Sequence, residues 1–183
     1  LVQHGRTDIS RASAILRKKT GHGSMQFTEA VATLVGDGKR LPAIFVRRDP
    51  EALPALLEQA PTVVSERTIE DLRWLLWLTV ERGTGANGGV EGYMVGGKTG
   101  TADKPTGSRR GYDGRAVISS FVGVFPADDP RFAVLSVLDE PQGDAETWGF
   151  RTGGWTAAPV VSRIIAQAGP VLGVPKKVPE TEV

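Results

Sequence analysis

Gly92-Tyr93-Met94-Val95-Gly96-Gly97-Lys98-Thr99-Gly100-Thr101-Ala102 is the stretch whose reading decides the fold. Two readings compete for it. By letters alone, Gly92 through Thr99 fit the phosphate-loop pattern G-x-x-x-x-G-K-T. That loop, however, joins a preceding strand to a following helix. Here the apolar residues fall inside the supposed loop, and Gly100-Thr101-Ala102-Asp103-Lys104-Pro105 is a poor helix opening. The alternative is a strand over 93–101. Its glycines at 96, 97 and 100 then mark places where another part of the structure approaches the backbone closely.

The following segments favour the strand. Val117–Phe125 and Phe132–Leu138 are apolar runs joined by Ala127-Asp128-Asp129-Pro130, which predicts an antiparallel hairpin. The intervening loop 102–116 is rich in Gly, Arg, Lys and Asp and is expected to be exposed. Before the strand, Ile69, Leu72, Leu75, Leu76, Thr79 and Val80 recur on one face of a helix spanning Glu66–Arg82. Ser65 or Thr68 can cap its start, and Gly83 stands where a left-handed terminator belongs. Gly83-Thr84-Gly85 and Asn87-Gly88-Gly89 then read as a flexible loop. Phe27, Ala30, Val31 and Leu34 predict a shorter helix over Ser24–Val35. A brief strand is expected at Ala43–Arg47, and Pro50 to Pro61 reads as a connection with a helical turn. After the hairpin, Ala157, Val160, Val161, Ile164, Ile165 and Ala168 predict a last helix over Thr156–Ala168, with Pro159 tolerated in its first turn. The chain is therefore expected to be α+β, an antiparallel sheet flanked by helices, with residues 1–174 forming a portion of one domain and 175–183 a tail.

Composition removes several function classes. The 183 residues include no cysteine and two histidines, His4 and His22, so thiol catalysis, thiolate metal sites and a histidine-rich metal centre are excluded. The net charge of +1 does not suit a nucleic-acid binder, and no basic stripe is present. No apolar run reaches the roughly 18–20 residues of a membrane span. Residues 1–20 lack the apolar block of a signal peptide, so any export signal or anchor is expected outside this chain.

The chemistry lies in Lys98-Thr99-Gly100-Thr101. An acyl-transfer site needs a cation for a substrate carboxylate, hydroxyl donors, and a backbone N–H for the oxyanion. A strand edge can supply all three. Lys98 offers the charge and Thr99 and Thr101 the hydroxyls. Gly100 leaves room for a peptide-like ligand, and the Thr101 N–H offers the oxyanion donor. Lys-Thr-Gly is one of three motifs of serine β-lactamases and penicillin-binding proteins.

The surroundings extend this likeness. Glu81-Arg82-Gly83-Thr84-Gly85, the stretch 92–102, Ser119 through Arg131, Val137 through Pro141, and Gly153-Gly154-Trp155-Thr156-Ala157-Ala158-Pro159 together resemble class B penicillin-binding proteins of the division type. The resemblance covers roughly residues 20–174. It implies a β-lactamase/transpeptidase-like fold, here an incomplete domain. It further implies a cofactor-free serine D,D-transpeptidase at the periplasmic face of the bacterial inner membrane. Its implied partners are D-Ala-D-Ala stem peptides of peptidoglycan, β-lactam antibiotics and cell-division membrane proteins. By this resemblance Lys98 and Thr101 are catalytic, and Lys98, Thr99, Gly100 and Thr101 bind substrate. The family's other two motifs do not occur in these residues: no serine is followed three positions later by lysine, and no S-x-N exists. The nucleophile is thus expected outside the chain, and the isolated chain is expected to be inactive. The alternative is an inactive scaffold module of the same fold. Val117 departs from the family, which often carries an aromatic residue there.

Overall fold

The computed structural model describes residues 22–41, 52–105 and 112–176. The strand expected at Ala43–Arg47 lies outside them. In chain order the elements are helices α1 (His22–Val35), α2 (Ala52–Gln59) and α3 (Glu66–Arg82), then a 3-10 turn (Ala86–Gly88). Strands β1 (Gly96–Pro105), β2 (Tyr112–Phe125) and β3 (Phe132–Asp139) and helix α4 (Ala157–Val171) follow. The strands form one antiparallel sheet in the order β1-β2-β3.

α3 spans the expected residues. Ser65 caps it in extended conformation, its hydroxyl accepting from Thr68 N at 3.3 Å. Its buried stripe is narrower than the sequence suggested. Ile69 and Val80 are buried and Leu76 packs against the cluster of Val35, Val122 and Val124, but Leu75 is exposed. Residues 69, 73, 76 and 80 fall on one line of the helix, and Leu75 lies off its flank. Gly83 is not left-handed either. It is extended, at φ −121°. It is needed for space instead: a Cβ there would stand 2.8 Å from Thr79 O. The chain end of α3 is closed by Gly85 N donating to the same carbonyl at 3.0 Å. The 50–61 connection holds a full two-turn helix, α2, because Pro54 falls in its first turn, where its missing N–H costs nothing.

β1 and β2 run well past the expected strand ends, so most of the supposed loop 102–116 is strand. β3 ends opposite Ile118, and beyond that point β1 and β2 continue as a two-stranded ribbon with a register shift after Asp103. A ribbon free of the core needs no apolar alternation, which is why its polar sequence reads as loop.

Each face of the sheet is covered. Phe121, Phe125, Phe132, Tyr93 and Val95 pack with Val80 and with Ala157, Ala158, Val161 and Ile165 of α4. On the other face, Val122, Val124, Ala133 and Leu135 pack against Val31 and Val35 of α1. Arg73 ties the two helices on that side: its guanidinium donates to Val35 O and Gly36 O, each at 2.7 Å. These are carbonyls at the end of α1 that lack helical partners. α4 is longer than expected, running to Val171 with Pro170 in its last turn. Val174 beyond it is buried.

Candidate functional site

β1 is the outer strand of the sheet, so side chains from both its faces border one free backbone edge. Lys98 pairs with Val122, Thr99 with Phe121, Gly100 with Ser120 and Thr101 with Ser119. Lys98 and Gly100 therefore lie on the α1/α3 face, and Thr99 and Thr101 on the α4 face. Lys98 is exposed, and its ammonium donates to Thr99 O at 2.7 Å. The cation thus lies folded back onto its own strand while staying exposed to solvent.

Both hydroxyls have protein partners. Thr99 Oγ1 and Thr84 Oγ1 are 3.1 Å apart, with either able to donate. Thr101 Oγ1 accepts from Gly153 N at 3.1 Å. The Gly153 amide belongs to the turn entering α4, and that turn is held from several sides. Asn87 Nδ2 donates to Gly154 O at 2.9 Å. Ser119 Oγ meets Thr156 Oγ1 at 2.7 Å, and Thr156 Oγ1 donates to Thr152 O at 3.0 Å. A hydroxyl has one proton, so Ser119 is the donor to Thr156. Gly153 lies so close to Ser120 O and Gly100 O that no Cβ fits there.

Gly100 has a reason the sequence did not show. A Cβ on it would overlap Ser120 Oγ across the strand pair, so its smallness serves the sheet as well as the open edge. The loop 83–89, expected to be flexible, carries a 3-10 turn at Ala86–Gly88. Gly85 and Gly88 are buried against the Phe121 ring, with Cβ positions 3.1 Å and 2.5 Å from its atoms. Sequence reasoning missed Thr84, Asn87 and Gly153 as neighbours of the motif. The available signal was the glycine flanking each of them, since glycine next to a polar residue in two separate loops marks backbone packed tightly on something.

A groove of about 510 Å³ opens beside Trp77, Glu81, Val90, Tyr93, Met94 and Lys176, but none of residues 98–101 lines it. Among the described residues no group of three or more His, Asp or Glu side chains stands together as a metal site. Asp139 and Glu140, paired carboxylates in the sequence, both bind Lys104 Nζ.

The penicillin binding protein transpeptidase domain family matches residues 23–166. The chain is 38% identical over 168 residues to the probable peptidoglycan D,D-transpeptidase FtsI of Caulobacter vibrioides, covering 86% of this chain and 28% of that protein. It is also 38% identical over 160 residues to the stage V sporulation protein D of Bacillus subtilis, covering 84% and 24%. The transpeptidase domain of Burkholderia pseudomallei penicillin-binding protein 3 superposes with a TM-score of 0.69 at 36% identity, over 82% of this chain and 43% of that one. Penicillin-binding protein 3 of Mycobacterium tuberculosis, solved with ampicillin, gives a TM-score of 0.69 at 28% identity, over 86% and 36%. The chain spans about a quarter of the length of these sequence relatives and less than half of these solved chains. With its antiparallel sheet, its flanking helices and its match over residues 23–166, the chain belongs to the penicillin-binding protein transpeptidase family.

Proposed function

We propose that this chain is the Lys-Thr-Gly portion of a serine D,D-transpeptidase that cross-links peptidoglycan stem peptides and is acylated by β-lactams. The carrying observation is the free edge of β1, where an exposed ammonium and two backed hydroxyls are gathered within four residues. Lys98, Thr99 and Thr101 hold the terminal carboxylate of a D-Ala-D-Ala donor. The Thr101 N–H is the oxyanion donor, and Gly100 lets the donor lie along the strand.

The serine comes from the rest of the protein, since these residues contain no S-x-x-K. Its hydroxyl loses a proton to a neighbouring base and attacks the carbonyl carbon of the penultimate D-alanine. The tetrahedral oxyanion collapses, the C–N bond breaks, and the terminal D-alanine leaves as an amine carrying the proton. An amine of a second stem peptide then attacks the acyl-enzyme and frees the serine. This side of the cleft supplies charge and orientation; the other side supplies the nucleophile. In this reading the enzyme works at the periplasmic face of the inner membrane, held by a segment outside the chain and associated with division proteins, and the family resemblance supports it. Among the described residues no helix is long and apolar enough to cross a membrane.

Because these residues hold neither S-x-x-K nor S-x-N, an inactive scaffold of the same fold is the alternative reading. Labelling of the full-length protein by a fluorescent penicillin separates the two. The transpeptidase reading expects an adduct that survives denaturation, weakened at least about a hundredfold by Lys98→Ala, the scale of losing one electrostatic contact in an acyl-transfer site. No adduct on the full-length protein overturns it. The isolated chain is expected to give none.

A further inference from the structure

We propose that Thr84 is a positioning residue: it donates its hydroxyl proton to Thr99 and so turns the Thr99 hydroxyl outward as a donor to the carboxylate of the ligand. The inference rests on the proposed role of the β1 edge as a carboxylate site.

The argument is one of proton counting. Each threonine hydroxyl carries one proton and two acceptor lone pairs. Thr84 Oγ1 and Thr99 Oγ1 are 3.1 Å apart, and neither has another hydrogen-bond partner among the described residues. One proton must lie between them. If Thr99 supplies it, Thr99 shows only lone pairs to the edge and repels an anion. If Thr84 supplies it, the Thr99 proton is free to point at the anion, and the chain Thr84–Thr99–carboxylate polarises in one direction. An anionic ligand therefore selects the second arrangement, and a residue at 84 without a hydroxyl cannot provide it.

Thr84 is well placed for this. Its backbone is fixed at the end of α3, where Gly85 N closes on Thr79 O at 3.0 Å. Its own carbonyl packs so closely on Gly154 that no Cβ fits at 154. Thr101, two residues along the same face, uses the same device with a donor that cannot reverse. Its oxygen accepts from Gly153 N at 3.1 Å, which leaves its own proton for an outside acceptor. Two hydroxyls on one strand face, each backed by a protein donor, form a paired hydrogen-bond donor for one carboxylate.

The test uses the full-length protein and two probes, a penicillin and the methyl ester of the same penicillin, and reads the second-order rate of acylation by each. Thr84→Val keeps the shape and removes the proton. It is expected to slow acylation by the acid about 3- to 10-fold, the worth of one hydrogen bond, with the ester changed by less than about twofold. Thr84→Ser is expected to restore the acid rate. Lys98→Ala is the control on the site itself and should collapse the preference for acid over ester. Equal slowing of both probes by Thr84→Val, or no slowing of either, overturns the role of Thr84 if Lys98→Ala still collapses the preference. An unchanged preference in Lys98→Ala instead overturns the carboxylate reading of the edge. Melting temperatures of the variants show whether a rate loss tracks unfolding; a loss common to both probes that follows a fall in melting temperature also counts against the proposal.

Discussion

The two faces of the sheet are built by different means. On the α4 face the core is aromatic, with Phe121, Phe125, Phe132 and Tyr93 packed as rings. On the α1 face it is aliphatic, with Val31, Val35, Val122, Val124, Ala133 and Leu135. The aromatic face is specified by what it lacks around one ring: Gly85, Gly88 and Gly97 all have their Cβ positions against Phe121, so backbone itself forms the wall of its pocket. The aliphatic face follows an ordinary pattern of β-branched residues on a strand. The helices over that second face also carry the exposed Phe27, Leu34, Trp74 and Leu75. Thr99 and Thr101 with their partners sit on the first face, where one ring touches three glycines on two backbone segments.

The largest expected effect tests that difference. Phe121 is fully buried, and where glycine backbone walls its pocket there is no side chain to swing in and fill the space. Phe121→Ala is expected to cost about 3–5 kcal/mol, toward the upper end. Val122→Ala, its neighbour on the opposite face, removes two carbons from an aliphatic setting and is expected to cost about 1.5–2.5 kcal/mol. Urea denaturation measures both. Equal losses would show that the glycine wall gives no special rigidity. Phe121→Ala should also slow penicillin acylation even where the protein stays folded, because Thr84 and Thr99 both hang on segments that touch this ring; Val122→Ala should not.

The next effect concerns Gly100, which belongs to both faces of the argument. Its Cβ position is taken by Ser120 Oγ, while its proposed function looks to the open edge. Gly100→Ala alone is expected to lower both stability and acylation. Adding Ser120→Ala removes the overlapping hydroxyl and should recover the melting temperature. If acylation stays low in the double variant, the glycine serves the ligand; recovery of acylation together with stability would assign Gly100 to strand pairing alone.

How much of this was legible in the sequence follows from where each signal lives. α3 and the β2–β3 hairpin were legible because their patterns report burial directly. The motif strand was legible through Lys98-Thr99-Gly100-Thr101, though not its true ends, since the ribbon beyond Ala102 lies outside the core and carries no apolar period. Leu75 was misplaced because a broad apolar helix does not reveal which edge of its stripe turns away. The loop 83–89 was read as flexible from its glycines, but glycine permits close packing as readily as motion. Here the partner, Phe121, is more than thirty residues away in the sequence, and no local pattern can show it. The glycines beside Thr84, Asn87 and Gly153 signalled tight packing but not its partners, because Thr84 meets Thr99, Gly153 meets Thr101 and Asn87 meets Gly154 only through long-range packing.

The smallest expected effect lies at the far end of β1, where the ribbon leaves both faces. Lys104 Nζ bonds Glu140 Oε1 at 2.6 Å and Asp139 Oδ1 at 2.9 Å, joining the first strand to the end of the third. Hydrogen bonds that the lysine donates to Glu140 and then to Asp139 raise it above its ordinary value of 10.5. A raised folded-state value means that the bonded ammonium favours the fold at every pH below the unfolded value, and that this contribution is lost as pH climbs through the folded one. Lys104→Met should therefore lower the melting temperature slightly, by an amount that is constant from neutral pH upward and closes only above 10.5. Salt should shrink the difference, because the cluster is at the surface and its charges are screened. A difference that stayed open even after pH had climbed through the folded value, or that ignored salt, would assign the lysine's contribution to the packing of its methylene stem along the ribbon rather than to its charge.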